Sequence, residues 1–377
     1  MPLIRGICKE FQHATRWPCH PHYRWVGRHR PRLRARGRIV KAYIVDRYEK
    51  KGSLRLGELP DPKLGSDDVL VRIHAAGVNP LDAKIRDGEF KAILPYRLPL
   101  VLGNDMAGVV VGTGANVRRF KPGDHVYARP DERRIGTFAE FIAVSETDLA
   151  MKPGNLTMEE AAAIPLVALT AWQALVEKAQ PKQGQKVLIH AGSGGLGTVA
   201  IQLAKHLGAT VATTTSTANI DLVKSLGADI VIDYKSDDFE TLLNGYDVVL
   251  NSLGKDTLEK SLSVLNHGGK LISVSGPPDA AFARANGLGW LLRQVMRLLS
   301  FSIRRKARSR GVAYSFLFMR ADGEQLSKIT ALIEAGIIRP VIDRVFPFEA
   351  TNDALAYVET GRSKGKVVIR IAQEPRP

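Results

Sequence analysis

Three glycines, Gly192, Gly194 and Gly197, stand in AGSGGLGTVAIQLAKHLGA at the spacing G-x-G-x-x-G. That spacing lets a backbone approach a pyrophosphate. Gly192 allows a tight turn after a strand, Gly194 the close approach, and Gly197 tight packing of the next helix. With Ser193, Gly195 and Leu196 they make a loop whose following helix offers free N–H groups to phosphate. Alone, the motif also describes a strand-to-helix turn with no ligand. The apolar run KVLIHAG before it and the helical GTVAIQLAKHLG after it favour a dinucleotide loop.

Sites for NAD place Asp or Glu about 20 residues past the glycines, on the ribose 2′-hydroxyl. Here the corresponding strand ends in TTTST, without a carboxylate. Thr215, Ser216 and Thr217 can donate hydrogen bonds to a 2′-phosphate, and Tyr234 closes the next strand at the same edge. Lys224 is either a counter-charge or a solvated helix lysine, and the threonines also suit a strand by propensity alone. The missing acid gives the expectation of NADPH over NADH.

These residues need elements to hold them. From about residue 165 to 280, short apolar runs (KVLIHAG, TVATTTS, DIVIDY, YDVVLNSLG, GKLISVSG) alternate with helical stretches, which predicts a parallel sheet with right-handed crossovers. Residues 40–160 show short β runs and many Gly and Pro turns, with little helix before TMEEAAAIP. They predict a small irregular β-barrel, which the strand–helix–strand tail PVIDRVFPFEATNDALAYVETGRSKGKVVIRI would complete. His74, in an alternating strand, and His190, just before the glycines, have no carboxylate at a useful spacing and read as structural.

The chain, 377 residues with 45% hydrophobic and 24% charged, is long enough for two domains of globular composition. No run of about 18 apolar residues appears, so no membrane span is expected. The only cysteines are Cys8 and Cys19, so beyond them the fold has no disulfide and no thiolate zinc site. A reducing, cytoplasmic setting is expected.

The net charge of +16 is concentrated in two segments. Residues 1–39 carry ten Lys/Arg and one Glu; residues 284–310 carry eight and no acid; the rest is near neutral. The first segment reads as a disordered extension upstream of a true start at Val40, with a transit peptide or a nucleic-acid arm as alternatives. In the second, Trp290, Leu291, Leu292, Val295, Leu298 and Leu299 recur at helical spacing beside Arg293 and Arg297. That is either a helix packed over a cleft or a dimer seam, or an interfacial helix on anionic membrane.

Taken together, GVNPLDAK, GNDMAGVVVGTG, KPGDHVY, the glycine-loop segment and GKVVI resemble the medium-chain dehydrogenase/reductase superfamily across residues 40–372. Within it the chain looks like the zinc-independent quinone oxidoreductase branch, with zeta-crystallin and the enone and alkenal reductases. The resemblance implies an α/β chain. A GroES-like irregular β-barrel domain would span 40–162 and 312–377. A Rossmann-type doubly wound parallel sheet binding NADP(H) would span 163–311, with the basic insertion at about 284–310. Zinc alcohol dehydrogenases have a Cys in the loop here written GVNPLD, a His-Glu pair where Asn104-Asp105 stand, and a four-cysteine lobe. None is present, so the resemblance implies no zinc.

By the same resemblance, Asn79 lies beside the nicotinamide, Lys84 touches cofactor or substrate, and Thr170 is near the nicotinamide end. Ser193 to Gly197 hold pyrophosphate, and Ser216 and Tyr234 meet the 2′-phosphate side. Val274, Ser275 and Gly276, with Phe316, Leu317 and Phe318, frame the carboxamide. The structural alternatives are a turn at Asn79-Pro80, a helix position for Thr170 and core packing for the phenylalanines. The implied activity is hydride transfer from NADPH to a quinone or to the C=C of an enone or enal. Lys84 or Tyr96 would meet the developing negative charge on oxygen, and Tyr96 could also donate the proton. The bland roles are a ribose contact for Lys84 and pocket lining for Tyr96. A homodimer is expected and nucleic acid is not. The alternative function is an NADPH-binding protein with little turnover, in a crystallin-like, nucleic-acid-binding or assembly role.

Overall fold

Val187, Leu188 and Ile189 are buried on both faces of their strand, as a strand inside a helix-covered parallel sheet must be. The computed structural model, which describes residues 38–91 and 93–372, sets Lys186–Ile189 third in a six-stranded sheet. The order is Ile230–Asp233, Thr210–Thr215, Lys186–Ile189, Tyr246–Asn251, Leu265–Ser273, Ala313–Phe316. Every pairing is parallel. All six carboxyl ends therefore share one edge. Strand order reverses beside Lys186–Ile189, so the glycine loop that follows it lies at the switch point, where open α/β sheets bind ligands.

The second body is a seven-stranded sheet in the order Ile342–Pro347, Lys366–Arg370, Asp68–Val78, Asp105–Thr113, His125–Ala128, Leu149–Met151, with Phe141–Ser145 also paired to Asp68–Val78. Three further strands, Arg55–Pro60, Ile39–Val45 and Leu100–Val101, form an antiparallel sheet of their own. The tail strand Lys366–Arg370 lies antiparallel to Asp68–Val78, so the chain's end completes the GroES-like barrel.

Two local features differ from the sequence reading. A helix, Pro80–Arg86, directly follows Asp68–Val78 in a region where little helix was expected. Pro80 suits a first turn, where its missing N–H is no loss, and Asp82 accepts from the backbone N–H of the N-cap residue Asn79 at 2.7 Å. The first strand begins at Ile39, one residue upstream of the start expected at Val40, and the Arg38 guanidinium sits 4.2 Å over the Phe141 ring. The expectations for residues 1–37 lie outside the described residues. The basic insertion forms three helices, Ala280–Ala285, Trp290–Leu299 and Phe301–Ser309. Among the described residues, no helix is long and apolar enough to cross a membrane.

Candidate active site

The glycine loop is shaped by close contacts that a side chain would break. A Cβ on Gly192 would meet Thr213 Oγ1 at 2.1 Å, and one on Gly197 would meet the Ala191 carbonyl at 2.3 Å. Gly194, the N-cap of helix Gly195–His206, has one neighbour within reach, at 3.3 Å, and the helix has no side-chain cap. Its first amides are thus a donor set of the kind a pyrophosphate uses. The residues present fit a dinucleotide diphosphate.

At the end of strand Thr210–Thr215, the Thr215 hydroxyl donates to Ser193 Oγ at 2.9 Å. Asn219 Nδ2 donates to both Ser193 Oγ and Ser216 Oγ at 3.1 Å, while Asn219 Oδ1 is buried with no partner. The Thr217 hydroxyl donates to Asp233 Oδ2 at 2.5 Å. Two of the three hydroxyl protons singled out in the sequence therefore already have acceptors; Ser216's does not. Asp233 is a carboxylate that the reading of TTTST alone did not count. Its strand partner is Thr215, and the Thr217 hydroxyl and the Lys235 amide hold its pKa below the usual carboxylate range. Tyr234 beside it is exposed, as is Lys235, a cation the sequence reading passed over.

On the barrel side, five buried polar side chains form one network. Lys366 Nζ donates to Asn79 Oδ1 at 2.5 Å and to Asp105 Oδ2 at 3.0 Å. Asn79 Nδ2 donates to the same Asp105 oxygen at 2.8 Å, and the Leu166 amide, at the start of helix Pro165–Trp172, donates to the other at 2.7 Å. Asn104 Nδ2 donates to Asp82 Oδ1 at 2.7 Å. Asn104 Oδ1 is left buried without a partner. The network also touches the glycine loop. A Cβ on Gly195 would meet Lys366 Cδ at 2.8 Å, and the Gly365 amide donates to the Ser193 carbonyl at 2.8 Å.

Residues 65–154 match the alcohol dehydrogenase GroES-like domain model and residues 226–369 a zinc-binding dehydrogenase model. A 2-methylene-furan-3-one reductase of Solanum lycopersicum is 38% identical, over 88% of this chain and 79% of that protein. A chloroplastic NADPH-dependent alkenal/one oxidoreductase of Arabidopsis thaliana is 36% identical over the same shares. A mitochondrial NAD(P)H oxidoreductase of Homo sapiens is 35% identical, over 89% of this chain and 90% of that protein. A quinone oxidoreductase structure from Coxiella burnetii superposes with a TM-score of 0.76 at 30% identity, covering 89% of this chain and all of that one. The chain belongs to the medium-chain dehydrogenase/reductase superfamily, in its quinone and enone oxidoreductase branch.

In this medium-chain reductase the remaining candidates are placed as follows. Val274 to Gly276 and Leu317 to Phe318 follow parallel strands and share the ligand edge with the glycine loop. Leu317 is buried in the main core. Phe316 and Phe318 flank Phe282, at 5.2 and 6.0 Å between centroids, and Phe318 reaches Phe90 of the barrel side at 5.8 Å. The Thr170 hydroxyl donates back to the Leu166 carbonyl at 2.7 Å. Lys84 is exposed on helix Pro80–Arg86. Tyr96 is half-buried; its hydroxyl donates to the Glu132 carbonyl at 2.6 Å, and burial raises its pKa.

His190 is buried between the Thr214 and Ser261 hydroxyls, at 3.1 and 3.0 Å, and burial pushes its pKa down to about 3. It is a neutral structural residue at the root of the glycine loop. Burial pushes Asp82 up to about 7, against the hydrogen bonds of Asn104 and the Asn79 amide. Arg129 is fully buried, donates to the Pro130 carbonyl at 2.7 Å and leaves Nε without a partner. Sequence reasoning did not single out Lys366 and Asp82, which join Asn79, Asn104 and Asp105 in this network. A lysine inside the apolar run GKVVIRI was the available signal, because such a side chain must find a partner. Two surface cavities, of about 300 and 410 Å³, lie away from this edge, against Arg86 and Glu359 and against Gln202 and Arg339.

Proposed function

We propose that the chain transfers hydride from NADPH to a quinone or to the C=C of an α,β-unsaturated carbonyl, without a metal. The observation that carries this reading is the Lys366–Asn79–Asp105 network. It stands where the resemblance puts the ligands of the zinc alcohol dehydrogenases. Two carboxamides and one carboxylate already shared by an ammonium and a backbone amide do not fit Zn²⁺, which needs deprotonated, uncommitted N, S or O donors. Among the described residues, no group of three His, Cys, Asp or Glu could hold a metal.

NADPH, when bound, supplies the hydride from its nicotinamide. The chain's own residues then have three tasks. The glycine loop and helix Gly195–His206 hold the diphosphate. Asn79, fixed on both sides by Lys366 and Asp105, is rigid enough to orient the nicotinamide end. The oxygen that gains negative charge needs a donor; Lys84 offers an ammonium, while the Tyr96 proton is engaged by Glu132 until a substrate displaces it. For the 2′-phosphate, the free Ser216 proton and the nearby Lys235 speak for NADPH, and Asp233 speaks against it. Asp233 is already spent on two donors, so NADPH is the better reading. As partners, the reading takes a small quinone, enone or enal, a second copy of the chain as homodimer, and a peripheral contact with anionic membrane through residues 284–310.

Steady-state coenzyme consumption over a panel of quinones and enals, with NADPH and NADH in parallel, tests this. Lys84→Met should lower kcat on the preferred substrate and Tyr96→Phe should lower it less. Equal use of NADH would reject the coenzyme assignment. Tight NADPH binding with no turnover on any substrate would favour an NADPH-binding protein with little turnover instead.

A further inference from the structure

Six of the sixteen exposed large hydrophobic side chains among the described residues fall within twelve consecutive positions: Trp290 (72% exposed), Leu291 (63%), Val295 (42%), Leu298 (73%), Leu299 (59%) and Phe301 (58%). The other ten are scattered, which is ordinary for a soluble surface; this cluster is a patch. Leu291, Val295, Leu298 and Leu299 recur at i, i+4, i+7 and i+8, so they share one face of helix Trp290–Leu299. Only Met296 is fully buried, packing with Phe282 and Ala283. The apolar stripe is thus anchored along one margin and uncovered over the rest.

The charge around the stripe is of one sign. Residues 284–310 hold eight Lys/Arg and no acid. Lys306 pairs with Glu259 at 2.7 Å. Arg297, Arg305, Arg308 and Arg310 are exposed and form no ion pair with a carboxylate among the described residues. Helix Phe301–Ser309 is held down by Ile303 and Ala307, and its Arg305 and Arg308 are exposed. Exposed leucines and a tryptophan accompanied by unpaired arginines match the boundary between acyl chains and anionic headgroups. A second copy on the same face would set two acid-free basic surfaces against each other. Nucleic acid would leave the leucines unused.

The underside of this helix is the site's own wall. Met296 shares its cluster with Phe316 and Phe318, which follow the last parallel strand, and with Ile93 on the barrel side. We infer that the Trp290 and Phe301 helices seat the enzyme on an anionic bilayer. The acceptor is then a lipid-dissolved quinone or enal that reaches the ligand edge past Phe318 and Phe90, whose rings meet at 5.8 Å. The substrate half of this inference rests on the proposed hydride transfer; the docking half does not.

The test is flotation of the full chain with phosphatidylcholine vesicles and with vesicles containing about a quarter phosphatidylglycerol, at low and high salt. The companion variant is Leu291→Ser/Leu298→Ser, which changes exposed positions only. The wild type should float with anionic vesicles at low salt and much less with neutral ones, and the variant's bound fraction should fall roughly tenfold. Turnover of a water-soluble quinone should be unchanged in the variant, while turnover of a long-chain quinone embedded in the vesicles drops. No flotation of the wild type, or full flotation of the variant through residues 1–39, would overturn the docking. A variant that turns a dimer into a monomer would assign the face to a second copy. Docking with equal loss on both quinones would overturn the lipid-phase route. Absence of turnover on any acceptor would sink the hydride reading and leave the flotation result standing.

Discussion

Lys366 Nζ lies 3.0 Å from Asp105 Oδ2, and both side chains are buried, though 261 residues separate them in the chain. The pair joins the last strand of the barrel to the start of helix Pro165–Trp172, because Asp105 also accepts from the Leu166 amide. Removing one member of a buried ion pair strands the other charge in a low-dielectric interior, at a cost of about 3–5 kcal/mol. Lys366→Met should therefore lower unfolding stability by about that amount in urea titration. Adding Asp105→Asn should recover a large part, because the stranded carboxylate is gone. A double variant no more stable than Lys366→Met would mean the two side chains do not act as a pair.

Asp82 predicts a pH dependence of definite sign. Burial holds its pKa near 7 in the folded protein, against an ordinary value of 3.8. Between those values the folded state binds a proton that the unfolded chain has lost, so the contribution is complete below about pH 4 and declines as pH rises towards 7. The slope from one such group is about 1.4 kcal/mol per pH unit inside the window. The difference in urea midpoint between Asp82→Asn and the wild type, in which the opposite contribution of His190 cancels, should rise from pH 5 to about 7 and level off above it. Parallel profiles would show that Asp82 keeps an ordinary pKa in the fold.

His190 works in the opposite direction. Its folded pKa, near 3, lies below the ordinary 6.5, so the unfolded chain binds the extra proton and stability is lost as pH falls from about 6.5. Because its ring bonds the Thr214 hydroxyl, and the Thr214 carbonyl accepts the Gly192 amide at 2.9 Å, protonation would disturb the glycine loop first. Coenzyme affinity should hold down to about pH 4 and weaken as pH falls towards 3, before global unfolding is seen by circular dichroism. His190→Gln should flatten that acid limb. Affinity and fold lost together at every pH would deny the loop this local sensitivity.

The fold and half of the site could be read from local pattern. Glycine spacing, the TTTST strand end and alternating strands and helices are signals contained within about 30 residues, and the parallel sheet then gathers them at one edge. The other half joins residues 79, 82, 104, 105 and 366, and no local pattern announces that a lysine near the C-terminus meets an N-cap near residue 80. Burial also overrides what local sequence alone would suggest. Asp82 looks like an ordinary first-turn acid in PLDAKIR, and only the packing around it raises its pKa. Asp233 escaped because it lies on the neighbouring strand, opposite Thr215, and not on the strand where the acid was sought.

The three motif glycines should separate by experiment. Gly192→Ala drives a methyl to 2.1 Å from Thr213 Oγ1, and Gly197→Ala to 2.3 Å from a fixed carbonyl. Each should cost about 1–3 kcal/mol of stability through overpacking. Gly194 has extended φ and ψ of −79° and 167°, and its nearest neighbour is at 3.3 Å, so Gly194→Ala should fold almost as the wild type does. Its methyl would instead enter the space a diphosphate needs, weakening NADPH binding by roughly tenfold or more in a fluorescence titration. Unfolding would separate the first two from the third, and coenzyme affinity would separate the third from the wild type. If Gly194→Ala bound NADPH as tightly as the wild type, the diphosphate would have to lie elsewhere than against this loop.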